Sequence, residues 1–181
     1  MLRAVILVPA AVFVLSGCRA APSTATPQAT VITQVPGVRA KLLGVDDGGA
    51  DVQLVFEPSA EVVQTLQDFV RKNAWKSVHF VGLGACTDAT IGYYDAMKKD
   101  YVKIALTQQM EIVSLVGDAA QDNEHEAFHA HIALGFADGT LHGGHLFESH
   151  VSPTLELMLR GSSVPMARRH DETSNANLLV P

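Results

Sequence analysis

Short β-strand patterns separated by turn residues fill most of the chain after Val38, and they limit its fold more than any other feature. Residues 51–56 show the pattern clearly, because Val52, Leu54 and Phe56 recur at the period of a half-buried strand. Similar patterns predict further strands at residues 77–85, 89–94, 101–106, 110–116, 129–136, 145–150 and 153–159. Many strands with short turns predict an α+β fold, mainly an antiparallel sheet with one or two packed helices.

One early segment has helical periodicity instead. Between residues 59 and 73 the apolar side chains recur at the spacing of a single helical stripe: Val62, Val63, Leu66, Phe69 and Val70. Lys72 and Asn73 suit the end of such a helix. The stripe predicts a helix that packs one face against the sheet.

The tripeptide His129-Ala130-His131 lies on one of the predicted strands. Residues two apart on a strand project from the same face, so the two imidazoles can aim at one point while Ala130 and Ile132 face the other way. This spacing makes the two histidines candidate ligands of one metal ion.

A third imidazole follows across a predicted turn at residues 137–140, which brings the chain back antiparallel. Gly143 and Gly144 have no Cβ atoms, so the backbone that carries His145 can pass close to the histidine pair. The candidate metal ligands are therefore His129, His131 and His145. Three neutral imidazoles suit zinc or a similar divalent transition metal and leave a coordination position open.

Other assignments of these residues remain open at this stage. Histidines on a polar strand face can simply be solvated, and His142 is close enough in sequence to replace His145 as a ligand. His125, Glu126 and His150 lie nearby in sequence, and each is expected either to support the metal ligands from behind or to lie at the surface.

The amino terminus has the pattern of a bacterial lipoprotein signal. Residues 1–17 carry Arg3 and then an apolar run, and Leu15-Ser16-Gly17 precedes Cys18, the residue that would carry the lipid. The run is shorter than the roughly 20 residues of a membrane-spanning helix. We therefore expect a lipid-anchored protein on the periplasmic or extracytoplasmic face of a bacterial cell envelope.

The rest of the chain divides into three further parts. Residues 18–37 are rich in Thr, Ala, Pro and Gln, which predicts a disordered tether. Residues 38–170 form one domain, and residues 171–181 are predicted to be a solvated C-terminal tail, as is the charged run from Arg168. With Cys18 lipidated, Cys86 is the remaining thiol, and its apolar surroundings predict a small buried core residue.

Charge and glycine spacing exclude two common kinds of partner. The formal net charge of −6, without a basic cluster, offers no electrostatic footprint for nucleic acid. Gly82-Leu83-Gly84 lacks the third glycine of a dinucleotide-binding motif, so a bulge or close packing is the favoured interpretation.

Six ordered motifs also resemble those of the plants-and-prokaryotes-conserved (PPC) domain. They span most of the region from Val38 to Arg169: Gly82-Leu83-Gly84, Gly92-Tyr93-Tyr94-Asp95, Met110-Glu111-Ile112-Val113-Ser114-Leu115-Val116-Gly117, His129-Ala130-His131, Gly143-Gly144-His145-Leu146 and Pro153-Thr154-Leu155-Glu156. The resemblance implies an α+β subunit that assembles as a homotrimer. It also implies a distant fold kinship to acetolactate decarboxylase, whose zinc is held by a His-x-His pair and the histidine of a Gly-Gly-His.

Carried over to this chain, that kinship places a metal on His129, His131 and His145 and favours His145 over His142. Glu111 and Glu148 are candidate further ligands or bases by residue type alone, although exposed glutamates are common. Plant members join the domain to a basic AT-hook that binds DNA. This sequence contains no Arg-Gly-Arg-Pro hook, so DNA binding is not expected here.

Two functions of different classes follow from these observations. The favoured one is a trimeric binding module of the cell envelope that holds a metal ion or small ligand, because no acid–base pair beside the histidines is identified. The alternative is a zinc-dependent lyase or hydrolase in which a nearby glutamate moves a proton.

Overall fold

The computed structural model of the protein describes residues 31–122 and 125–181. Nine strands and one helix follow one another in this part of the chain: β1 (Val38–Asp46), β2 (Gly49–Phe56), α1 (Val62–Lys72), β3 (Ser77–Asp95), β4 (Asp100–Leu106), β5 (Met110–Asp122), β6 (His125–Gly135), β7 (Leu141–Ser162), β8 (Ala167–Asp171) and β9 (Ala176–Val180). All the pairings are antiparallel except that of β5 with β8. The predicted mainly antiparallel α+β fold is confirmed.

Four strands form a closed circuit of hydrogen-bonded pairs. β3 pairs with β5 and β7, and β6 in turn pairs with both β5 and β7. β2 extends the sheet beyond β7, with β1 at its far edge. This circuit brings β6 and the first half of β7 side by side, which is the placement that the histidine hairpin requires.

The helix covers one side of the sheet and closes the core. Leu66 and Phe69 of α1 are 0 to 1% exposed and pack in one cluster with Phe80, Leu155 and other strand residues. The cap is Glu61, and Ser59, where the predicted helix begins, adopts a positive φ of 69°. The predicted helix is therefore present, but it begins a turn later.

Two long strands replace two predicted pairs of shorter ones. β3 runs through both predicted strands at residues 77–94, and β7 runs through those at residues 145–159. The register shifts where a break was predicted, so that residues 152–154 lie opposite Ala85 alone. Pro153, which has no N–H to donate, lies in this irregularity, so the strand continues past it.

In the described part of the chain, residues on both flanks of the predicted domain core are packed or paired. Val35 is only 8% exposed, and Thr33 exchanges backbone hydrogen bonds with the side chain of Asn73. β8 and β9 form a hairpin over residues 167–180, so the segment predicted as a solvated tail is paired instead. The predicted signal at residues 1–17, Cys18 and most of the predicted tether lie outside the described residues.

Two local predictions agree with the structure. Cys86 is fully buried, and burial raises the pKa of its thiol. The register shifts between Gly82 and Gly84, and a Cβ at either glycine would clash with β7.

Within residues 31–122 and 125–181, no helix is long and apolar enough to cross a membrane.

Candidate metal centre

The three candidate histidines lie on two paired strands. His129 and His131 belong to β6, and His145 of β7 is the direct pairing partner of His131. Ala130, Ile132 and Leu134 alternate with the histidines of β6 and are buried on the core side. The alternation of the strand therefore separates the imidazoles from the core.

The turn before β7 and two glycines set the approach of these strands. The Phe136 N–H donates to the Thr140 carbonyl, and Gly139 has the positive φ of 83° that a tight turn favours. A Cβ on Gly143 would lie 2.7 Å from the Ile132 carbonyl oxygen, and one on Gly144 would lie 2.4 Å from that of Gly92. Only glycine allows the backbone to approach this closely without a shift.

The imidazoles converge on one point. One ligand atom from each of the three rings lies within 4.8 Å of those from the other two. The ring centroids are 5.1 Å apart for His129 and His131, 5.2 Å for His129 and His145, and 5.8 Å for His131 and His145. Tetrahedral zinc–nitrogen bonds place their nitrogens about 3.4 Å apart, so small rotations of the rings would close the set.

Aromatic side chains hold His145 in place. The rings of Tyr101 and Phe147 each lie 4.8 Å from its centroid, and they belong to two different strands. Burial, followed by the neighbouring imidazoles of His129 and His131, lowers the pKa of His145 to about 4. Burial also lowers the pKa of His129. A metal ion binds the neutral form of imidazole. Because the pKa values of His129 and His145 are lowered, protons compete little with a metal ion for these two rings near pH 7.

An unpartnered nitrogen supports the fit of a metal ion. His145 Nδ1 is buried and has no hydrogen-bond partner, although buried polar atoms almost always have one. A metal ion could bind Nδ1 directly. If the ion bound Nε2 instead, Nδ1 would carry the proton, and a ligand that accompanies the ion could accept a hydrogen bond from it. The donor set, the spacing and this orphaned atom together fit a transition metal ion.

Arg168 of β8 is a neighbour that sequence reasoning placed in solvent. Its side chain is only 5% exposed, and Nη2 donates to Asp118 Oδ1 at 2.6 Å. The same Nη2 lies 3.3 Å from His129 Nδ1, and Nη1 donates to the Asn177 carbonyl at 3.0 Å. The solvated side chain predicted for Arg168 is therefore wrong. Its burial depends on a carboxylate 50 residues away, which no local sequence pattern shows.

A cavity of about 640 Å³ opens beside this cluster. The C-terminal hairpin forms one of its walls, and the sheet forms another. Its lining combines polar groups and apolar ones, among them Tyr101, Asp118, Phe128, His129, His145, Arg168, His170, Asn177, Leu178 and Leu179. The cavity is large enough for a small organic ligand next to the imidazoles.

The alternative ligand His142 and the candidate further ligand or base Glu111 lie elsewhere. His142 is exposed, packs on Phe136 and pairs with Leu134, which faces the core and not the imidazoles. Glu111 pairs with Gly135 and lines a separate cavity. Among the described residues, the histidine cluster therefore recruits neither of them.

His150 belongs to a different ion pair, and Glu148 acts electrostatically on the same histidine. His150 Nδ1 lies 2.8 Å from Asp88 Oδ1, and Glu148 contributes to raising the pKa of His150. The side chains of His125 and Glu126 lie outside the described residues.

The family profile described as the Plants and Prokaryotes Conserved (PCC) domain, the PPC domain, matches residues 45–162. A metal-containing protein from Archaeoglobus fulgidus is 31% identical, with a TM-score of 0.69, over 75% of this chain and 96% of that one. A plant- and prokaryote-conserved protein from Pyrococcus horikoshii is 26% identical, with a TM-score of 0.67, over 80% and 96% of the two chains.

A third solved structure, from Ralstonia eutropha JMP134, carries a provisional name as a DNA-binding protein. It is 25% identical, with a TM-score of 0.67, over 72% of this chain and 90% of that one. No curated protein gives a significant match. The matched profile spans well over half of the sequence, and the chain belongs to the PPC domain family.

Proposed function

We propose that the protein is a metal-binding module in which His129, His131 and His145 hold one divalent transition metal ion, with zinc as the favoured ion. The observation that carries the proposal is the convergence of three imidazoles beside a buried nitrogen without a partner. The metal-containing relative from Archaeoglobus fulgidus supports it. A bound ion would supply a Lewis acid with an open coordination position.

Binding is favoured over catalysis that uses a carboxylate, because the carboxylate that lines the cavity is not free. Asp118 is the carboxylate among the described lining residues, and it is already paired with Arg168. A general acid or base must be free to exchange a proton with a ligand, and a carboxylate held by a guanidinium is poorly suited to that role. Turnover by a zinc-dependent lyase or hydrolase remains the alternative that activity measurements would reveal.

Metal analysis of the purified protein tests the proposal. We expect about one ion per chain in the wild type and loss of most of it in His145→Gln, because three protein ligands are the minimum of a typical zinc site. His142→Gln is the matched control, since His142 is an exposed histidine on the same strand. Less than about one-tenth of an ion per folded chain would contradict the proposal.

The protein is also proposed to act as a trimer. Met158, Val81 and Val116 are each more than half exposed and lie side by side on neighbouring strands β7, β3 and β5. Val116 pairs with His131, so this apolar row ends at the histidine cluster. Exposed contiguous apolar surface of this kind is typical of a protein interface.

We further propose that lipid on Cys18 anchors the protein to the cell envelope. The apolar leader and the residues Leu15-Ser16-Gly17 before Cys18 support this localisation. Mass spectrometry of the protein from membranes should find an N-terminal acylated Cys18, and a full-length unmodified chain would contradict it.

A further inference from the structure

We propose that the cavity beside the histidines takes a small organic carboxylate, which binds both the metal ion and the guanidinium of Arg168. The inference rests on the proposed function, because the ion is one of the two anchors. It assigns a ligand class to the cavity and a recognition role to Arg168.

The first support is the incomplete hydrogen bonding of Arg168. Its side chain is 5% exposed, and Nη1 and Nη2 are engaged by the Asn177 carbonyl and Asp118. Nε is buried and has no partner. A guanidinium can only donate hydrogen bonds, so a group that completes it must be an acceptor. Carboxylates are the planar acceptors that suit a guanidinium best.

The second support is the contact between Arg168 Nη2 and His129 Nδ1 at 3.3 Å. Because the guanidinium has no lone pair, this contact requires a free lone pair on Nδ1. An ion bound at Nδ1 would take that lone pair, and an ion bound at Nε2 would require a proton on Nδ1. In both cases metal binding ends the contact. Another guanidinium N–H then becomes available beside the ion.

Charge favours an anion in this place. A divalent ion held by three neutral imidazoles keeps its full charge, and Arg168 adds another positive charge close to it. Asp118, which is paired with Arg168, offsets only part of this charge. Positive groups with few counter-charges in a partly desolvated pocket attract an anionic ligand.

The lining of the cavity favours an organic acid over inorganic phosphate. Phe128, Leu178 and Leu179 present carbon surface on the same cavity that Arg168 and the imidazoles line. A carboxylate with a short carbon chain can bury that chain against these side chains and place its oxygens between the two positive groups. Inorganic phosphate has no apolar part to bury.

The proposed recognition element lies outside the residues that the family profile matches. The profile match ends at residue 162, whereas Arg168, Asn177, Leu178 and Leu179 belong to the hairpin of β8 and β9. The three histidines lie inside the match. The ligand class is therefore inferred for this chain from residues that the domain profile does not include.

Calorimetric titration of the zinc-loaded protein with propionate tests the inference, with inorganic phosphate as a parallel probe. We expect Arg168→Gln to weaken propionate binding by roughly tenfold or more, the worth of a charge-assisted hydrogen bond. Arg169→Gln removes the same charge from the next, exposed position of β8 and should change the affinity less than about twofold. Zinc content is measured first for every variant, so that loss of the ion and loss of the anion are separated.

The outcomes distinguish this inference from the proposed function. A wild type that binds no zinc overturns both. Zinc binding with equal propionate affinity in Arg168→Gln and Arg169→Gln overturns the role of Arg168 and leaves the metal site. Binding of phosphate in preference to propionate overturns the carboxylate assignment. If Arg168→Gln fails to fold, Asp118→Asn with Arg168→Gln replaces the ion pair by neutral partners and should show the same loss.

Discussion

At the scale of single residues, His150 and Asp88 form an ion pair that is separate from the candidate metal centre. His150 Nδ1 lies 2.8 Å from Asp88 Oδ1, and this hydrogen bond raises the pKa of His150. Burial acts to raise the pKa of Asp88, but hydrogen bonds from His150 and Thr87 outweigh it and the net shift is downward. The pair therefore has both charges at mildly acidic pH.

This pair predicts a pH-dependent contribution to stability. The folded pKa of His150 lies above its unfolded value near 6.5, so its stabilisation is complete below that value and is lost as the pH rises through the folded pKa. His150→Gln should lower the free energy of unfolding more at pH 5.5 than at pH 8.5. The difference should stay below about 1 kcal/mol, because both side chains are more than a third exposed and screened by solvent.

Urea unfolding at the two pH values measures this effect. His79→Gln, at an exposed position on β3, is the control and should show no such difference. Equal losses for His150→Gln at both pH values would contradict the interpretation.

At the scale of elements, the antiparallel pairing of β6 and β7 builds the candidate metal centre, and glycines determine how closely the strands around it approach. Gly92 of β3 lies opposite His145 of β7, and a Cβ on Gly144 would meet the Gly92 carbonyl oxygen at 2.4 Å. The position of the third imidazole thus depends on a backbone contact across the β3–β7 pair.

Gly144→Ala should push β7 away from β3 and move His145. We expect a loss of about 1 to 3 kcal/mol in the free energy of unfolding, the usual cost of forcing extra volume into a packed site. Zinc content should fall with it. Gly44→Ala on β1 is the matched control, because a Cβ there meets nothing within 4 Å and should change stability by less than about 0.5 kcal/mol. Similar stability of the two variants would show that β7 can shift freely.

The same elements show which features sequence analysis can predict. The helix and the histidine hairpin were predictable, because their signals are local: a stripe of apolar residues, alternation on β6, and a glycine-containing turn. β3 and β7 were predicted as shorter strands, because local sequence cannot show that a neighbouring strand absorbs a bulge or Pro153. The hairpin of β8 and β9 was missed for a similar reason, since Arg168 is buried by its contact with Asp118.

At the scale of the whole molecule, the apolar row formed by Met158, Val81 and Val116 is the surface that the proposed trimer would cover. The row ends at His131, the most exposed of the three candidate ligands. A second copy placed on this surface would therefore approach the metal centre from its open side.

Light scattering of the protein lacking residues 1–18 should give the mass of a trimer, and a monomer mass would contradict the assembly. Val116→Glu should dissociate it, because a carboxylate buried in an apolar interface is costly. Val102→Glu on β4, also at an exposed valine, is the control and should leave the mass unchanged. A trimer would also carry three lipids, which strengthens membrane attachment through multivalency.

The order of the functional residues along the chain has a consequence for maturation. Arg168 follows all three histidines, and its contact with His129 Nδ1 is the one that the proposed metal ion would replace. During synthesis the imidazoles emerge before the guanidinium that would compete with a metal ion for His129. An ion present during synthesis would meet histidines that Arg168 does not yet contact. An ion added to the finished protein would first have to displace Arg168. The timing of metal supply would therefore govern how readily the protein binds the ion.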